Sequence, residues 1–124
     1  MPGFKPTNDL LFVYGTLRSE FDNPYSRRLR AEADFVGAAE VAGALFHVAH
    51  YPGYRPEPAG RVRGEVYRLR SPERTLADLD EYEGEEYLRV RVRLLQPENE
   101  AWLYQYARPL PLERRIVSGD FTQP

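Results

Sequence analysis

A strictly alternating stretch in the second half of the chain constrains the fold more than any other feature. Between Tyr87 and Gln96, apolar and basic residues take turns. The apolar positions are Leu88, Val90, Val92 and Leu94, and the basic positions are Arg89, Arg91 and Arg93. Because successive side chains of a strand point to opposite faces, this period of two predicts a strand with one buried face. The turn residues Pro97–Asn99 and a second apolar stretch, residues 101–107, complete a predicted hairpin and therefore an antiparallel sheet.

Other stretches predict further strands. The continuous apolar run Asp9–Tyr14, closed by Gly15, is typical of a strand buried on both faces. Apolar and charged residues alternate through Arg61–Arg70, which also indicates a strand. Phe35–Ala49 predicts one or two strands, bent at a glycine. Residues 51–60 contain three prolines and two glycines, so we expect a loop there without regular structure.

Two stretches carry the signals that start and stop helices. Asn23–Ala33 begins with Asn-Pro, and Asn is a favoured N-cap while Pro is a favoured first helical residue. Ser71-Pro72-Glu73 begins the second helix with a capping residue, a proline and an acid beside the positive helix end. This helix should run to about Glu83 and end at Gly84.

Five or six short strands and two helices in mixed order predict an α+β fold. The expected architecture is a small, mixed, mostly antiparallel β-barrel with the helices packed outside it. The length of 124 residues fits one domain. We assign that domain to residues 9–124. Residues 1–8 are polar, contain two prolines and lack the apolar stretch of a signal peptide, so we expect a flexible N-terminus there.

Composition excludes several classes of function. The chain contains no cysteine, which excludes disulfides, thiolate metal sites and a cysteine nucleophile. Its 17 basic and 19 acidic residues give a net charge of −2, so we expect no nucleic-acid partner. No apolar run is long enough to span a membrane, and we expect a cytoplasmic protein. His47 and His50 would point to opposite faces of a strand, so no metal site is predicted.

Glu83 stands out among the acidic residues. The apolar stripe of the second predicted helix, Leu76 and Leu79, reaches Glu83 at helical spacing, so its carboxylate should project toward the interior. Burial and the negative end of the helix dipole should both raise its pKa, toward the range of a general acid/base at neutral pH. The alternative is an ion pair with an arginine of the strands, drawn from Arg61, Arg63, Arg89, Arg91 and Arg93.

The segment Tyr14-Gly15-Thr16-Leu17 follows the buried N-terminal strand. Glycine at the end of a central strand allows a sharp turn that exposes successive backbone N–H groups. Such donors can bind a carboxylate or stabilise an oxyanion. A plain turn without a function is the alternative.

Together these segments resemble the gamma-glutamyl cyclotransferase-like family. The similar segments occur in the order in which that family has them: Phe12–Arg18, Tyr51–Gly53, Val62–Leu69, Leu79–Gly84, Tyr87–Arg89, Trp102–Tyr104 and Ser118–Asp120. The resemblance implies a compact barrel with a cavity at its mouth. It also implies an enzyme that releases 5-oxoproline and a free amine from a small gamma-glutamyl compound.

The resemblance also implies roles for individual residues. Glu83 would be the catalytic base, and the loop Tyr14, Gly15, Thr16 and Leu17 would bind the glutamyl part of the substrate. Pro52, Gly53 and Tyr87 would complete the substrate-binding set, although Tyr87 could equally be a core or rim aromatic. No metal or cofactor is expected, and the protein would be a monomer or homodimer.

Two other classes of function stay open. One is a non-catalytic module of the same fold that binds a small molecule. The other is an interaction protein that binds an acidic partner through an arginine face, formed by Arg61, Arg63, Arg89, Arg91 and Arg93. The alternative for this face is a solvated strand face whose arginines pair with Glu65 and the helix acids. Family members differ in the amine that leaves, and we expect residues 18–24 and 51–60 to shape that end of the pocket.

Overall fold

A closed ring of five strands forms the centre of the computed structural model, which describes residues 9–49, 51–96 and 99–123. The strands are, in chain order, β1 (Leu10–Val13), β2 (Ala33–Ala42), β3 (Ala44–His47), β4 (Pro52–Arg55), β5 (Arg61–Leu69), β6 (Tyr87–Gln96), β7 (Asn99–Tyr106) and β8 (Arg115–Ile116). The ring runs β1-β5-β2-β6-β7 and closes where Leu11 of β1 pairs with Trp102 of β7. Its pairings are antiparallel except at this closure, which is parallel. The predicted fold class is confirmed.

Two helices lie against the outside of the ring. Helix α1 (Pro24–Glu32) begins as predicted, because Asn23 Oδ1 accepts from the N–H of Ser26 at 2.9 Å, and Ser26 Oγ accepts from the N–H of Asn23 at 2.9 Å. Helix α2 (Pro72–Glu83) also has the predicted bounds, but Ser71 makes no capping hydrogen bond with its side chain. Gly84 ends α2 with a φ of 73°, a conformation that favours glycine.

The apolar residues form two layers that share β1. Leu10 and Phe12 point into the barrel, where they pack with residues such as Val62 and Leu103. The alternate residues of β1, Leu11 and Val13, pack outward, under the helix residues Leu29, Leu76 and Leu79. All four residues of β1 are buried, which confirms the prediction of a strand covered on both faces.

The prediction of an irregular loop over residues 51–60 is wrong for its first half. Pro52–Arg55 forms β4, which pairs antiparallel with β3 and touches β7 through Tyr54 and Gln105. Proline is tolerated because it is the first residue of the strand. Glycine is needed at position 53, since a Cβ there would lie 2.8 Å from the Cβ of Tyr106. Because β3, β4 and β8 are short additions at one edge, the described chain has eight strands rather than five or six.

The alternating strand β6 also departs from its predicted pattern at one end. Leu94 is buried and Val90 and Val92 pack partly against the core, but Leu88 is 57% exposed. The break within Phe35–Ala49 falls at Gly43, between β2 and β3. The predicted flexible N-terminus, His50 and the turn residues Pro97 and Glu98 lie outside the described residues. Neither helix in the described ranges has the length and apolarity to cross a membrane.

Candidate active site

A cavity of about 540 Å³ opens beside the end of β1. Five separate parts of the chain border it: the end of β1 with the loop after it, the start of α1, the residues before and in β4, the end of α2 with the start of β6, and β7. The lining residues are Phe12, Val13, Tyr14, Gly15, Thr16, Leu17, Asn23, Pro24, Tyr25, Tyr51, Pro52, Tyr82, Glu83, Glu86, Tyr87 and Tyr104. This size is typical of a site for a small molecule.

Glu83 is the last residue of α2 and lines this cavity. It continues the stripe of the buried residues Leu76 and Leu79, so its side chain lies toward the interior as the helical spacing predicts. Within residues 9–49, 51–96 and 99–123, no ion pair or hydrogen bond of its carboxyl group is found. Burial raises the pKa of Glu83 to about 7, because no positive charge compensates the loss of water.

Four of the five arginines considered as partners of Glu83 are paired with other acids. Arg89 donates to Asp80, with Nε 2.8 Å from Oδ1. Arg91 donates to Glu100 at 3.0 Å. Arg61 and Arg63 lie 3.8 and 3.3 Å from the carboxylate of Glu40.

These contacts bear on the predicted arginine face. The helix acid Asp80 pairs with Arg89 of this face, as expected. The carboxylate of Glu65 instead accepts from the N–H of Ser19 at 2.6 Å and from the hydroxyl of Ser19 at 2.9 Å. In addition, the guanidinium groups of Arg89 and Arg91 lie over the ring of Trp102, at 4.4 and 4.9 Å from its centroid. Several of these arginines are therefore already engaged by acidic or aromatic side chains of the same chain.

The loop after β1 forms another wall of the cavity. The N–H of Arg18 donates to the carbonyl of Gly15 at 3.0 Å, which closes a tight turn, and Asn23 Nδ2 donates to the carbonyl of Thr16 at 2.8 Å. In the described part of the chain, the N–H groups of Thr16 and Leu17 have no acceptor. A Cβ at position 15 would lie 2.9 Å from Cγ of Pro52, so the close approach of the two segments requires glycine. The turn thus leaves backbone donors available beside a cavity.

The segment after β8 holds this loop in place through an ion pair. Arg18 is buried and its Nη1 donates to Asp120 Oδ1 at 3.0 Å. Asp120 Oδ1 also accepts from the N–H of Thr122 at 2.9 Å and from its hydroxyl at 2.6 Å. Burial alone would raise the pKa of Asp120, but these hydrogen bonds and the charge of Arg18 outweigh it and lower the pKa. The buried pair ties the donor loop to the segment after β8.

The tyrosines of the site are mostly engaged in holding the wall together. The hydroxyl of Tyr14 donates to the carbonyl of Tyr104 at 2.5 Å and accepts from the N–H of Tyr54 at 3.2 Å. Burial, followed by the charge of Glu83, raises the pKa of Tyr87, whose hydroxyl donates to the carbonyl of Pro52 at 2.9 Å. Tyr14 and Tyr87 therefore offer their rings to the cavity while their hydroxyls brace it.

Seven of the eight residues singled out from the sequence line this one cavity: Tyr14, Gly15, Thr16, Leu17, Pro52, Glu83 and Tyr87. Gly53 does not. Its position packs against Val48 and Tyr106, because β4 alternates and places residue 53 away from the cavity that Pro52 borders.

Sequence reasoning missed several lining residues. Tyr25 of α1 and Tyr82 of α2 stack with their ring centroids 3.7 Å apart, and Glu86 lies just beyond the end of α2. Tyr82 and Glu86 lie within three residues of Glu83 in the sequence, and this proximity could have indicated that they border the same cavity. The Tyr25–Tyr82 contact joins two helices and had no local signal. Within the predicted loops 18–24 and 51–60, the lining residues are Asn23, Pro24, Tyr51 and Pro52.

Comparison with known proteins identifies relatives along almost the whole chain. The sequence model of the family described as "Gamma-glutamyl cyclotransferase, AIG2-like" matches residues 11–123. The gamma-glutamylcyclotransferase family protein YtfP of Escherichia coli K12 is 37% identical over 114 residues, which cover 90% of this chain and 94% of the relative.

Solved structures agree with this assignment. An uncharacterised protein from Pyrococcus horikoshii superimposes with a TM-score of 0.74 at 27% identity, covering 92% of this chain and 90% of that one. The solution structure of YtfP from Escherichia coli gives a TM-score of 0.66 at 36% identity, covering 90% and 94%. The chain therefore belongs to the AIG2-like gamma-glutamyl cyclotransferase family.

Proposed function

We propose that this protein is a gamma-glutamyl cyclotransferase that converts a small gamma-glutamyl compound into 5-oxoproline and a free amine. Glu83 is the general acid/base of the reaction. The loop Tyr14–Leu17 binds the glutamyl part of the substrate, and its backbone N–H groups stabilise the oxyanion.

The observation that carries this proposal is the state of Glu83. Its carboxyl group lines a cavity, lacks a cationic partner in the described ranges and has a pKa of about 7. A structural carboxylate at a helix end would normally be solvated or paired, as Asp80 is. A base whose pKa is close to the working pH transfers protons in both directions most effectively. The donors of the loop after β1 border the same cavity, as the charge of a tetrahedral intermediate requires.

The reaction balances without any further reactant. The substrate binds with its α-ammonium group near the ionised Glu83, which takes one proton from it. The freed amine attacks the δ-carbonyl carbon, so that a C–N bond closes a five-membered ring and the carbonyl oxygen becomes an oxyanion. Glu83 then passes the proton to the leaving nitrogen, the oxyanion collapses to a carbonyl, and the old C–N bond breaks. The ring nitrogen still carries the second ammonium proton, which Glu83 takes and passes to the departing amine. The products are therefore 5-oxoproline and the free amine in its ammonium form, and Glu83 is ionised again.

The nucleophile in this scheme belongs to the substrate. Holding a flexible glutamyl chain in its folded, near-attack conformation supplies much of the rate, because the attack is intramolecular. The tight contact between Gly15 and Pro52 and the pair Arg18–Asp120 hold the binding loop in one arrangement. A rigid cavity is thus the protein's second contribution, next to the base.

The experiment is Glu83→Gln, assayed by release of 5-oxoproline from a panel of gamma-glutamyl amino acids and gamma-glutamyl amines. The amide keeps the shape of the side chain and removes the base, so we expect kcat to fall by about two to four orders of magnitude. Glu85→Gln is the matched control, because Glu85 is exposed and does not line the cavity. Undiminished release by Glu83→Gln would overturn the assignment of the base.

A second candidate is a non-catalytic binding module of the same fold. The engagement of the hydroxyls of Tyr14, Tyr87 and Tyr104 in protein hydrogen bonds favours it, since these three hydroxyls are then not available to assist Glu83 in proton transfer. A module would bind 5-oxoproline or glutamate in calorimetry while the whole panel of compounds released no 5-oxoproline. Release from any of them that depends on Glu83 decides for the enzyme.

A further inference from the structure

One side chain joins the start of helix α1 to the donor loop, Tyr14–Leu17. Asn23 is the capping residue of α1, and it also lines the cavity. Its Oδ1 accepts from the N–H groups of Tyr25 and Ser26, at 3.1 and 2.9 Å. Its Nδ2 donates to the carbonyl of Thr16 at 2.8 Å. The two ends of one amide group therefore connect the helix and the loop.

The helix decides which end of the Asn23 amide faces the loop. Backbone N–H groups can only donate, so the amide oxygen must face the helix and the NH2 group must face Thr16. Serine and aspartate cap a helix about as well as asparagine does. Of the three, only asparagine carries an acceptor and a donor on separate atoms. The cap alone would therefore accept any of these residues, whereas the bond to Thr16 requires the amide.

Asn23 is itself held firmly by helix α1. Its N–H donates to Ser26 Oγ at 2.9 Å, and its carbonyl accepts from the N–H of Arg27 at 2.9 Å. Ser26 is fully buried, and its hydroxyl donates to the carbonyl of Phe21 at 2.9 Å. A group that is locked in this way on a regular element places its own partner precisely.

The hydrogen bond to Thr16 fixes the direction of the next N–H group. A trans peptide unit is planar, and its C=O and N–H bonds point in opposite directions. Because Asn23 holds the carbonyl of Thr16, the N–H of Leu17 points away from Asn23. Within the described part of the chain this N–H has no acceptor, so it is available to a ligand in the cavity that Leu17 borders.

This peptide unit is also the one in the loop that can change direction. The turn Gly15–Arg18 is closed by the bond from the N–H of Arg18 to the carbonyl of Gly15, so the unit between Thr16 and Leu17 is its central one. Rotating the central unit converts a type I turn into type II, which needs a positive φ at Leu17. Among the described residues only glycines have a positive φ, so the turn is not of type II. Asn23 holds the carbonyl that would have to rotate.

We propose that Asn23 is a positioning residue of the site, which keeps the N–H of Leu17 directed at the oxyanion of the substrate by holding the carbonyl of Thr16. This inference rests on the proposed function and adds to it the side chain that orients an oxyanion donor. Asn23 acts through the peptide unit between Thr16 and Leu17, and the proton transfer stays with Glu83.

The first experiment is Asn23→Ser, which removes the amide donor and keeps an oxygen that can cap the helix. We expect kcat for 5-oxoproline release to fall by about ten- to a hundredfold, because a misdirected donor is lost from the transition state. KM should change by less than about threefold, because the bound substrate carries no oxyanion yet.

The matched control is Ser26→Ala, which removes the other half of the capping box and leaves the amide of Asn23 in place. It should lower the stability toward urea and leave kcat unchanged. If Asn23 served only to cap the helix, kcat would instead follow stability in both variants.

A second measurement reports the orientation of the peptide unit without any turnover. Rotation of the unit brings the α-hydrogen of Thr16 close to the amide hydrogen of Leu17, so the nuclear Overhauser effect between them becomes strong. We expect a weak effect in the unmodified protein and in Ser26→Ala, and a stronger one in Asn23→Ser. It should be strongest in Asn23→Asp, whose carboxylate repels the carbonyl of Thr16 and attracts the N–H of Leu17. An effect that stays weak in both Asn23 variants, or an undiminished kcat in Asn23→Ser, would overturn the inference.

The two measurements separate this inference from the proposal on which it rests. If the unmodified protein releases no 5-oxoproline from any compound of the panel, the proposed enzyme activity fails. The nuclear Overhauser effect still decides whether Asn23 fixes the direction of the N–H of Leu17.

Discussion

Asp80 and Glu83 lie one turn apart on helix α2, yet their carboxyl groups are in opposite states. Asp80 accepts from Arg89 Nε at 2.8 Å and from the hydroxyl of Tyr104 at 2.7 Å. Burial raises its pKa, but these hydrogen bonds outweigh that effect and the pKa is lowered. Glu83 has no such partners within the described ranges, and burial alone raises its pKa to about 7.

The difference shows that the exposed fraction of a carboxyl group does not decide whether it has hydrogen-bond partners. The side chain of Asp80 is 43% exposed and is nevertheless fully engaged by an arginine and a tyrosine, whereas Glu83 is more buried and has neither. An acid that is both withdrawn from water and unpaired costs stability. Such a cost is common where a group must exchange protons with a ligand.

The largest expected effect comes from neutralising each acid in turn. Glu83→Gln should lower the rate of 5-oxoproline release by two to four orders of magnitude. Asp80→Asn should keep activity within about tenfold of the unmodified protein, because Asp80 does not line the cavity that Glu83 borders, and should cost about 1 kcal/mol of stability through the weakened bonds to Arg89 and Tyr104. Steady-state kinetics and urea unfolding measure the two quantities. Equal losses of activity in the two variants would contradict the contrast.

A smaller effect is expected in the dependence of activity on pH. Glu83 acts as a base only when ionised, so kcat/KM should rise with pH and level off above a pKa of about 7. At pH 5 the rate should be about a hundredfold below its plateau at high pH, because only about one in a hundred molecules then has Glu83 ionised. Any residual activity of Glu83→Gln should lack this acidic limb. A limb that persists in the variant would assign the titration to another group.

The smallest effect concerns stability, and its sign distinguishes Glu83 from Asp80. The pKa of Glu83 is about 7 in the folded protein and near its ordinary value of 4.5 in the unfolded chain. Between these values the folded state binds more protons, so the free energy of unfolding should fall as the pH rises from about 4.5 to 7. We expect a fall of about 2 kcal/mol, because the carboxyl group keeps some contact with solvent.

The control for this measurement is again Glu83→Gln, in which the fall between pH 4.5 and pH 7 should vanish. Asp80 and Asp120 act in the opposite direction, since their pKa values are lowered on folding. Their contribution is present above the ordinary aspartate pKa of 3.8 and is lost as the pH falls below it. Urea unfolding should therefore find the highest stability near pH 5. Stability of the unmodified protein that rises steadily to pH 8 would contradict the assignment of Glu83.

Much of the architecture follows from local patterns in the sequence. The period of two in β6, the continuous apolar run of β1 and the helix starts at Asn23 and Pro72 each specify one element through interactions of near neighbours. The inward position of Glu83 followed in the same way, because the spacing from Leu76 and Leu79 is a property of one helix. These predictions succeeded because a single segment contains the information.

Features that join distant segments could not be predicted in this way. The composition of β4 predicts a loop, and the segment forms a strand because it pairs with β3 and contacts β7. The exposure of Leu88 depends on where the neighbouring strands end. The Tyr25–Tyr82 stack depends on how two helices meet on the barrel, and neither helix alone indicates it.

The closure of the barrel has a consequence for how the protein is made. Strand β1 is synthesised before the other strands of the barrel, but it pairs with β5 and β7, and Tyr14 donates to a carbonyl 90 residues further along the chain. Contacts between such distant residues slow folding, because a long stretch of chain must be ordered before they can form. Until β7 has been synthesised, an apolar strand that needs cover on both faces lacks one of its neighbours and is prone to aggregate. The cavity and its donor loop are therefore expected to be among the last parts of the molecule to assemble.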